Sequence, residues 1–434
     1  MKFKNKFLGG AFALSVGAFI SKVIGCIYRI PLTNIIGAEA LGLYQMIFPL
    51  YCIILTFSST GVPNSLAKLI SEGNSAKGVL RSSLKIFIPL GIIGSLIMAT
   101  LGYPIAYLQG NYKAGLGYIM LSPSILLVSI LSCFRGYFQG KSNMNPTAIS
   151  QVIEQVVKLM VGLTLGYIYK VKPILSSATC ALAVTFSEVV ALIYIYLKYK
   201  KNPSQEQRVF FSRSKIFKTV LPVTLSSLLL PIAKIADSFL ILNILKGYMA
   251  DYTQVYGIYS GGVESIIGVP VALCYGFAIT SIPFIAKSKT QGQNRVKNNC
   301  KKVTLYTLFF GIIFAVMLFL GAKIVVNLLY FSLNLKYKTL MIKLIRVLSI
   351  TIVSLSLVQT TSAILVSLGK LYTPCLTLGI SVLIKIVLSL IFLANPKLNI
   401  FASAISDIVC FSFACLLNLI FIFSKKSNLS SNFY

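Results

Sequence analysis

Nine charged side chains lie inside long apolar runs of this sequence: Lys22, Glu154, Lys158, Glu188, Lys234, Asp237, Glu264, Lys385 and Asp407. A charge at the centre of a bilayer costs about 2.5–3.5 kcal/mol on insertion scales. Facing lipid together they would prevent insertion, so they must pair or line a wet cavity. Their spacing favours a cavity. Gln151, Glu154, Gln155 and Lys158 fall at i, i+3, i+4 and i+7, one face of an otherwise apolar helix. Lys22 and Arg29, seven apart, share a face of the first run. Small and polar residues make further stripes: Gly257, Ser260, Gly261, Glu264 and Gly268; Thr377, Ser381 and Lys385; Ser403, Ser406, Asp407 and Cys410.

Each charge also has a plainer reading. Glu154 and Lys158 form an i, i+4 ion pair that either neutralises itself or faces the cavity. Lys234 and Asp237 read as a structural pair, and Glu188 and Asp407 as balancing neighbouring lysines. Lys22 lies mid-span with no acid within a turn, so it reads as a cavity residue. Arg29, nearer a span end, reads the same way, and Arg135 reads as an anchor at a span end.

The elements that position these residues follow from composition. Of 434 residues 56% are hydrophobic and 11% charged, against about a quarter charged in a soluble domain. Apolar segments near 8–30, 41–62, 84–108, 116–138, 147–169, 174–197, 217–241, 255–285, 303–330, 344–368, 371–394 and 399–424 are long enough to span a bilayer. The expected fold is an all-α membrane protein of about twelve transmembrane helices. The run after Lys2, Lys4 and Lys6 continues to Ile30 with more spans behind it, so it is read as an uncleaved first helix.

The net charge of +31 suggests nucleic acid until its placement is considered. Basic residues crowd the loops at 63–83, 198–216 and 286–302, whereas 31–40 has none. By the positive-inside rule these loops and both termini are cytoplasmic, in the cytoplasmic membrane, and no nucleic-acid partner is implied. There is no His, which removes the commonest metal ligand. The nine Cys form no CxxC and read as small buried hydrophobes. Neither metal nor cofactor is expected. Gly136 to Ser142 imitates a P-loop but has three residues where four are required, and it lies between spans.

The chain divides into an N-terminal six-helix lobe at 1–197, a basic cytoplasmic linker at 198–216, a second six-helix lobe at 217–425 and a cytoplasmic tail at 426–434. Gly140-Lys141, Pro146 and Lys158 match Gly369-Lys370, Pro374 and Lys385, and Ser187-Glu188 matches Ser406-Asp407. Val62-Pro63 with Ala67-Lys68 matches Ile282-Pro283 with Ala286-Lys287, and Ser21-Lys22-Val23 matches Ala233-Lys234-Ile235. Matches in one order at similar offsets indicate a duplication. An even number of spans per half relates the lobes by a pseudo-two-fold axis along the membrane normal, an arrangement that puts a substrate site near the midplane.

Ser21-Lys-Val-Ile-Gly-Cys-Ile-Tyr-Arg29-Ile-Pro-Leu-Thr, Ile36-Gly-Ala-Glu-Ala-Leu-Gly-Leu-Tyr-Gln45, Ser59-Thr-Gly-Val-Pro63, Phe134-Arg-Gly-Tyr-Phe-Gln-Gly140 and Pro146-Thr-Ala-Ile-Ser-Gln-Val-Ile-Glu-Gln155 resemble the stage V sporulation protein B group. That group belongs to the oligosaccharide flippases of the multidrug/oligosaccharidyl-lipid/polysaccharide exporter superfamily, which includes the lipid II flippase. The resemblance implies a central cationic cavity, alternating access and an undecaprenyl-pyrophosphate-linked saccharide as substrate. It places Lys22 at a basic cavity position. Arg29 is displaced by one from the family's second arginine, and Glu264 stands where the lipid II flippase has a basic residue. Many relatives have fourteen spans, the added pair forming a lipid-tail groove in the lipid II flippase.

The expected function is therefore a flippase, not an enzyme, for an anionic lipid-linked saccharide, with membrane lipids as partners and the coupling ion open. Its site residues are Lys22, Arg29, Gln151, Glu154, Gln155, Lys158, Lys234, Asp237, Glu264 and Lys385. The alternative is a cation-coupled multidrug exporter of the same fold, whose site would present acids to cationic drugs. A membrane glycosyltransferase would need placed carboxylates outside the spans, where Glu39, Glu72, Glu206 and Asp251 are scattered. A scaffold would not require polar stripes inside helices.

Overall fold

A bilayer offers backbone N–H and C=O groups no partners, and a helix satisfies them within its own segment. The computed structural model describes residues 2–57, 61–201, 212–288, 293–370 and 372–424. Within them the order is α1 (Lys2–Thr56), α2 (Val62–Ser71), α3 (Ala76–Leu108), α4 (Gly115–Gly140), α5 (Asn145–Ile168), α6 (Pro173–Lys201), α7 (Arg213–Ser227), α8 (Leu229–Lys246), α9 (Tyr252–Gly257), α10 (Glu264–Ser288), α11 (Gln293–Leu329), α12 (Leu335–Ser367), α13 (Thr373–Leu393) and α14 (Phe401–Phe423). A 3-10 turn, Tyr112–Ala114, precedes α4, and a π-helical turn, Ile258–Val263, joins α9 to α10. Among the described residues there is no strand, and ten helices are long and apolar enough to cross a membrane. The chain is an all-α, multi-pass membrane protein. The 202–211 part of the linker, 289–292 of the 286–302 loop and the 425–434 tail lie outside the described residues.

The count of ten differs from the expected twelve segments at two places. α1 has 55 residues; a straight helix of that length would run about 82 Å, more than twice a bilayer core. It breaks at Gly37, with φ 74° and ψ 177°, a conformation that glycine alone reaches cheaply. Packing on α5 shows the reversal. Gly17 lies against Ala148, Tyr28 against Gly162 and Ile36 against Gly166; Tyr51 is then back at Glu154. The expected spans 8–30 and 41–62 are thus two arms of one hairpin, counted as a single helix. The expected span 217–241 is broken at Leu228 into the shorter α7 and α8.

Prolines inside the helices free carbonyls that side chains recover. Pro49 offers no N–H to the Gln45 carbonyl, and the Tyr256 hydroxyl donates to it instead at 3.3 Å. Pro123 does the same to the Ile119 carbonyl, which the Ser122 hydroxyl reaches at 2.8 Å.

By its contacts the chain forms two compact units, Met1–Gly262 with Ser332–Asn334, and Val263–Phe331 with Leu335–Tyr434. In the first, α8 and α9 are tied to the helices before them. Gln109 donates to Ser238 at 2.8 Å, Asn243 to the Leu108 carbonyl at 2.8 Å and Tyr252 to the Gly110 carbonyl at 2.9 Å. Gly42 and Gly257 meet backbone to backbone, a Cβ on Gly257 falling 2.5 Å from Gly42 N, and Gly261 sits on Leu41. This corrects the stripe running from Gly257 to Gly268. Its glycines at 257 and 261 serve close packing on α1.

Candidate functional site

In the first unit, α5 carries the polar stripe and Pro146 starts it, at a helix position where a missing N–H costs nothing. Glu154 is almost fully buried. Its Oε2 accepts from Arg135 Nη2 at 2.9 Å, and its Oε1 lies 3.4 Å from the Tyr51 hydroxyl and 3.3 Å from Gln155 Nε2. Arg135, on α4, is 0% exposed and also donates from Nε to Ser150 Oγ at 3.1 Å. Arg135 is therefore no span-end anchor but the buried partner of Glu154. The local i, i+4 pairing of Glu154 with Lys158 gives way to it, because a guanidinium on a facing helix reaches the carboxylate directly.

Lys158 is left over. It is 5% exposed, its Nζ lies 5.9 Å from the Tyr51 ring centroid, and no hydrogen bond or ion pair holds it among the described residues. Arg29 stacks on Phe48 across the α1 hairpin, 4.2 Å from the ring centroid. Glu188, on α6, is 0% exposed, and neither of its carboxyl oxygens has a hydrogen-bond partner among the described residues. Lys158 lies in the field of Glu154, Arg29 and Glu188, and Glu188 in that of Glu154, Arg135 and Lys158. Once Arg135 and Glu154 pair, Lys158 and Glu188 are the two buried charge-bearing groups of this cluster that no ion pair holds among the described residues.

The other expected residues fall in separate places. Gln155 is buried beside Glu154, and Gln151 is half-buried a turn earlier. Lys22 lies on α1 seven residues before Arg29, and its side chain is outside the described residues. Lys234 is half-buried and Asp237 buried on α8. Glu264 heads α10 in the second unit, half-buried. Lys385, also in the second unit, is ion-paired with Asp407, both buried. Asp407 thus balances a lysine as expected, whereas Glu188 forms no ion pair among the described residues. Nearby, Asn418 accepts from Thr377 at 2.6 Å and donates to Thr361 and Ser362 at 3.1 and 3.2 Å. Sequence reasoning missed Tyr51, Phe48 and Ser150, for which the chain carries no local signal. It undervalued Arg135, whose position inside α4, five residues before its end, was the available clue.

A buried lysine that no ion pair or hydrogen bond holds among the described residues can hold an anion. The model of the polysaccharide biosynthesis protein family matches residues 7–289, more than half of the chain. The chain belongs to that family. Within this polysaccharide biosynthesis family, it is 28% identical over 350 residues to Lipid II flippase MurJ of Bacillus subtilis (strain 168), covering 72% of this chain and 64% of that protein. The chain thus matches just under two-thirds of that relative's length. It is 26% identical over 356 residues to Stage V sporulation protein B of the same organism, covering 76% of this chain and 68% of that protein. The resemblance read from the α1 and α5 motifs is therefore real. Among solved structures, the inward-facing form of a multidrug resistance MATE family transporter of the MOP superfamily matches with TM-score 0.75 and 16% identity, covering 93% of each chain. That likeness shows the fold alone.

Proposed function

We propose that this protein carries an anionic, lipid-linked saccharide of the prenyl-pyrophosphate class from the inner to the outer leaflet by alternating access. The observation that carries the reading is Lys158, a lysine buried in the first unit that no ion pair or hydrogen bond holds among the described residues, while its neighbours Arg135 and Glu154 pair with each other. Buried charges are ordinarily paired, so a site built this way suits an incoming anion. Arg29 adds to it, and Lys22 is placed with them on the family resemblance. Lys385, already paired, would take part only by exchanging Asp407 for the substrate. Sequence relatives named for lipid II transport and for sporulation support the same reading.

The loop charges support both termini in the cytoplasm and the cytoplasmic membrane as the site of action. An inside-negative potential then favours outward movement of the anion by about 2.3 kcal/mol per charge per 100 mV. The multidrug reading rests on the fold likeness and on the buried carboxyl of Glu188, which has no hydrogen-bond partner among the described residues. Proteoliposomes separate the two. The wild type is expected to expose a tagged prenyl-pyrophosphate saccharide on the far leaflet and to leave ethidium untransported. Ethidium efflux without flipping would establish the exporter instead.

A further inference from the structure

Glu188 is the group that the flippase reading does not use. Its carboxyl is wholly buried, and both oxygens lack a hydrogen-bond partner among the described residues. A bare carboxylate in such a place is far costlier than the neutral acid. The duplicated half shows the alternative. Ser406-Asp407 is the sequence match of Ser187-Glu188, and Lys385 that of Lys158. In the second unit Lys385 and Asp407 are in contact as an ion pair. In the first unit Lys158 and Glu188 act on one another electrostatically but form no ion pair. What differs is the extra pair, Arg135 with Glu154, which the second half replaces by Ile364 and Ser381 at the matching offsets.

We propose that Glu188 is a proton-binding site whose occupancy is linked to that of the anion site at Lys158. The linkage, not the proton site, rests on the flippase reading. One Glu188 oxygen gains an O–H bond with a proton from solvent and later returns it there; no other bond changes. The groups that set its sign are all at hand. From α5 they are Glu154 and Lys158, and from α4 Arg135. From the α1 hairpin Tyr51 acts on Glu188, and Arg29 and Cys52 act on its neighbour Lys158. The 3-10 turn holds Lys113, which pairs with Glu39 at 3.5 Å. Protonation removes the negative charge that competes with a substrate for Lys158, so proton and anion favour each other's binding, and by reciprocity to the same degree. A cationic substrate would instead compete with the proton.

Infrared difference spectra of the ligand-free, full-length protein in lipid, taken across a pH change, test the site. A protonated-carboxyl C=O band should titrate in the wild type, vanish in Glu188→Gln and persist, shifted, in Glu188→Asp. A spectrum without a titrating, Glu188-dependent band overturns the proton site whether or not any lipid binds. A prenyl pyrophosphate added in weak buffer then tests the linkage. The wild type should take up protons on binding, and its affinity should gain on the order of tenfold on acidification relative to Glu188→Gln. Binding with equal uptake in both proteins overturns the linkage. A titrating Glu188 band in a protein that binds no prenyl pyrophosphate supports the proton site and defeats the anion reading.

Discussion

Replacing Glu154 by leucine should destabilise the first unit more than replacing Arg135, although the two form one ion pair. Loss of Glu154 takes the ion-pair partner from Arg135, which is 0% exposed and bonded to Ser150, and removes the carboxylate one turn from Lys158. An uncompensated buried charge of this kind costs about 3–5 kcal/mol. Loss of Arg135 leaves Glu154 with the Tyr51 hydroxyl at 3.4 Å, Gln155 at 3.3 Å and Lys158 within i, i+4 reach. The cost there is that of one charged hydrogen bond, about 1–3 kcal/mol. The double variant Arg135→Leu with Glu154→Leu should lie within about 1–2 kcal/mol of the wild type, because apolar groups of similar volume replace a buried pair at little net cost. Cys133, 0% exposed and two residues from Arg135, reports opening through its reaction with a maleimide when the other eight cysteines are replaced. Equal loss from the two single variants, or a double variant worse than either, would refute the reasoning.

Gly257→Ala should cost about 1–3 kcal/mol through overpacking on Gly42, whereas Gly321→Ala, with no neighbour within 4 Å of the new carbon, should match or exceed wild-type stability; melting in detergent followed by size exclusion compares them. Asn418→Ala loses contacts to Thr377, Thr361 and Ser362 and should cost about 1–3 kcal/mol at roughly 0.6 kcal/mol or more per interhelical bond, read by protection of Cys415 on the same helix. Reporter fusions at Asn428 and within the 198–216 linker should both report cytoplasm; an outside signal at either would reverse the orientation.

The helices were legible because a bilayer imposes long apolar runs, and the α5 stripe because Glu154, Gln155 and Lys158 repeat with the helical period. The pairing within the stripe was not legible. Sequence reasoning sees i, i+4 neighbours, whereas the partner of Glu154 is Arg135 on another helix, brought close by tertiary packing. The Gly37 reversal could be placed between two spans, but the run is helical on both sides and only the φ of one residue turns it back. The glycines at 257 and 261 show the opposite error. Their spacing suited a cavity equally well, and the backbone approach of α9 to Gly42 decides for packing. Asp407 and Glu188 look alike in sequence, and only the geometry of each half separates the paired acid from the unpaired one.

The central claim is that buried cations of the first unit hold the head group of an anionic lipid. It is tested most directly by flipping of a tagged prenyl-pyrophosphate saccharide in proteoliposomes carrying Lys158→Ala, Lys158→Arg or Lys158→Glu. The account predicts near-wild-type flipping for arginine, a loss of about tenfold or more for alanine and a greater loss for glutamate, because charge matters here more than fork geometry. The same order is expected at Lys22. Flipping indifferent to all three Lys158 substitutions, in protein that inserts and accumulates normally, would contradict it.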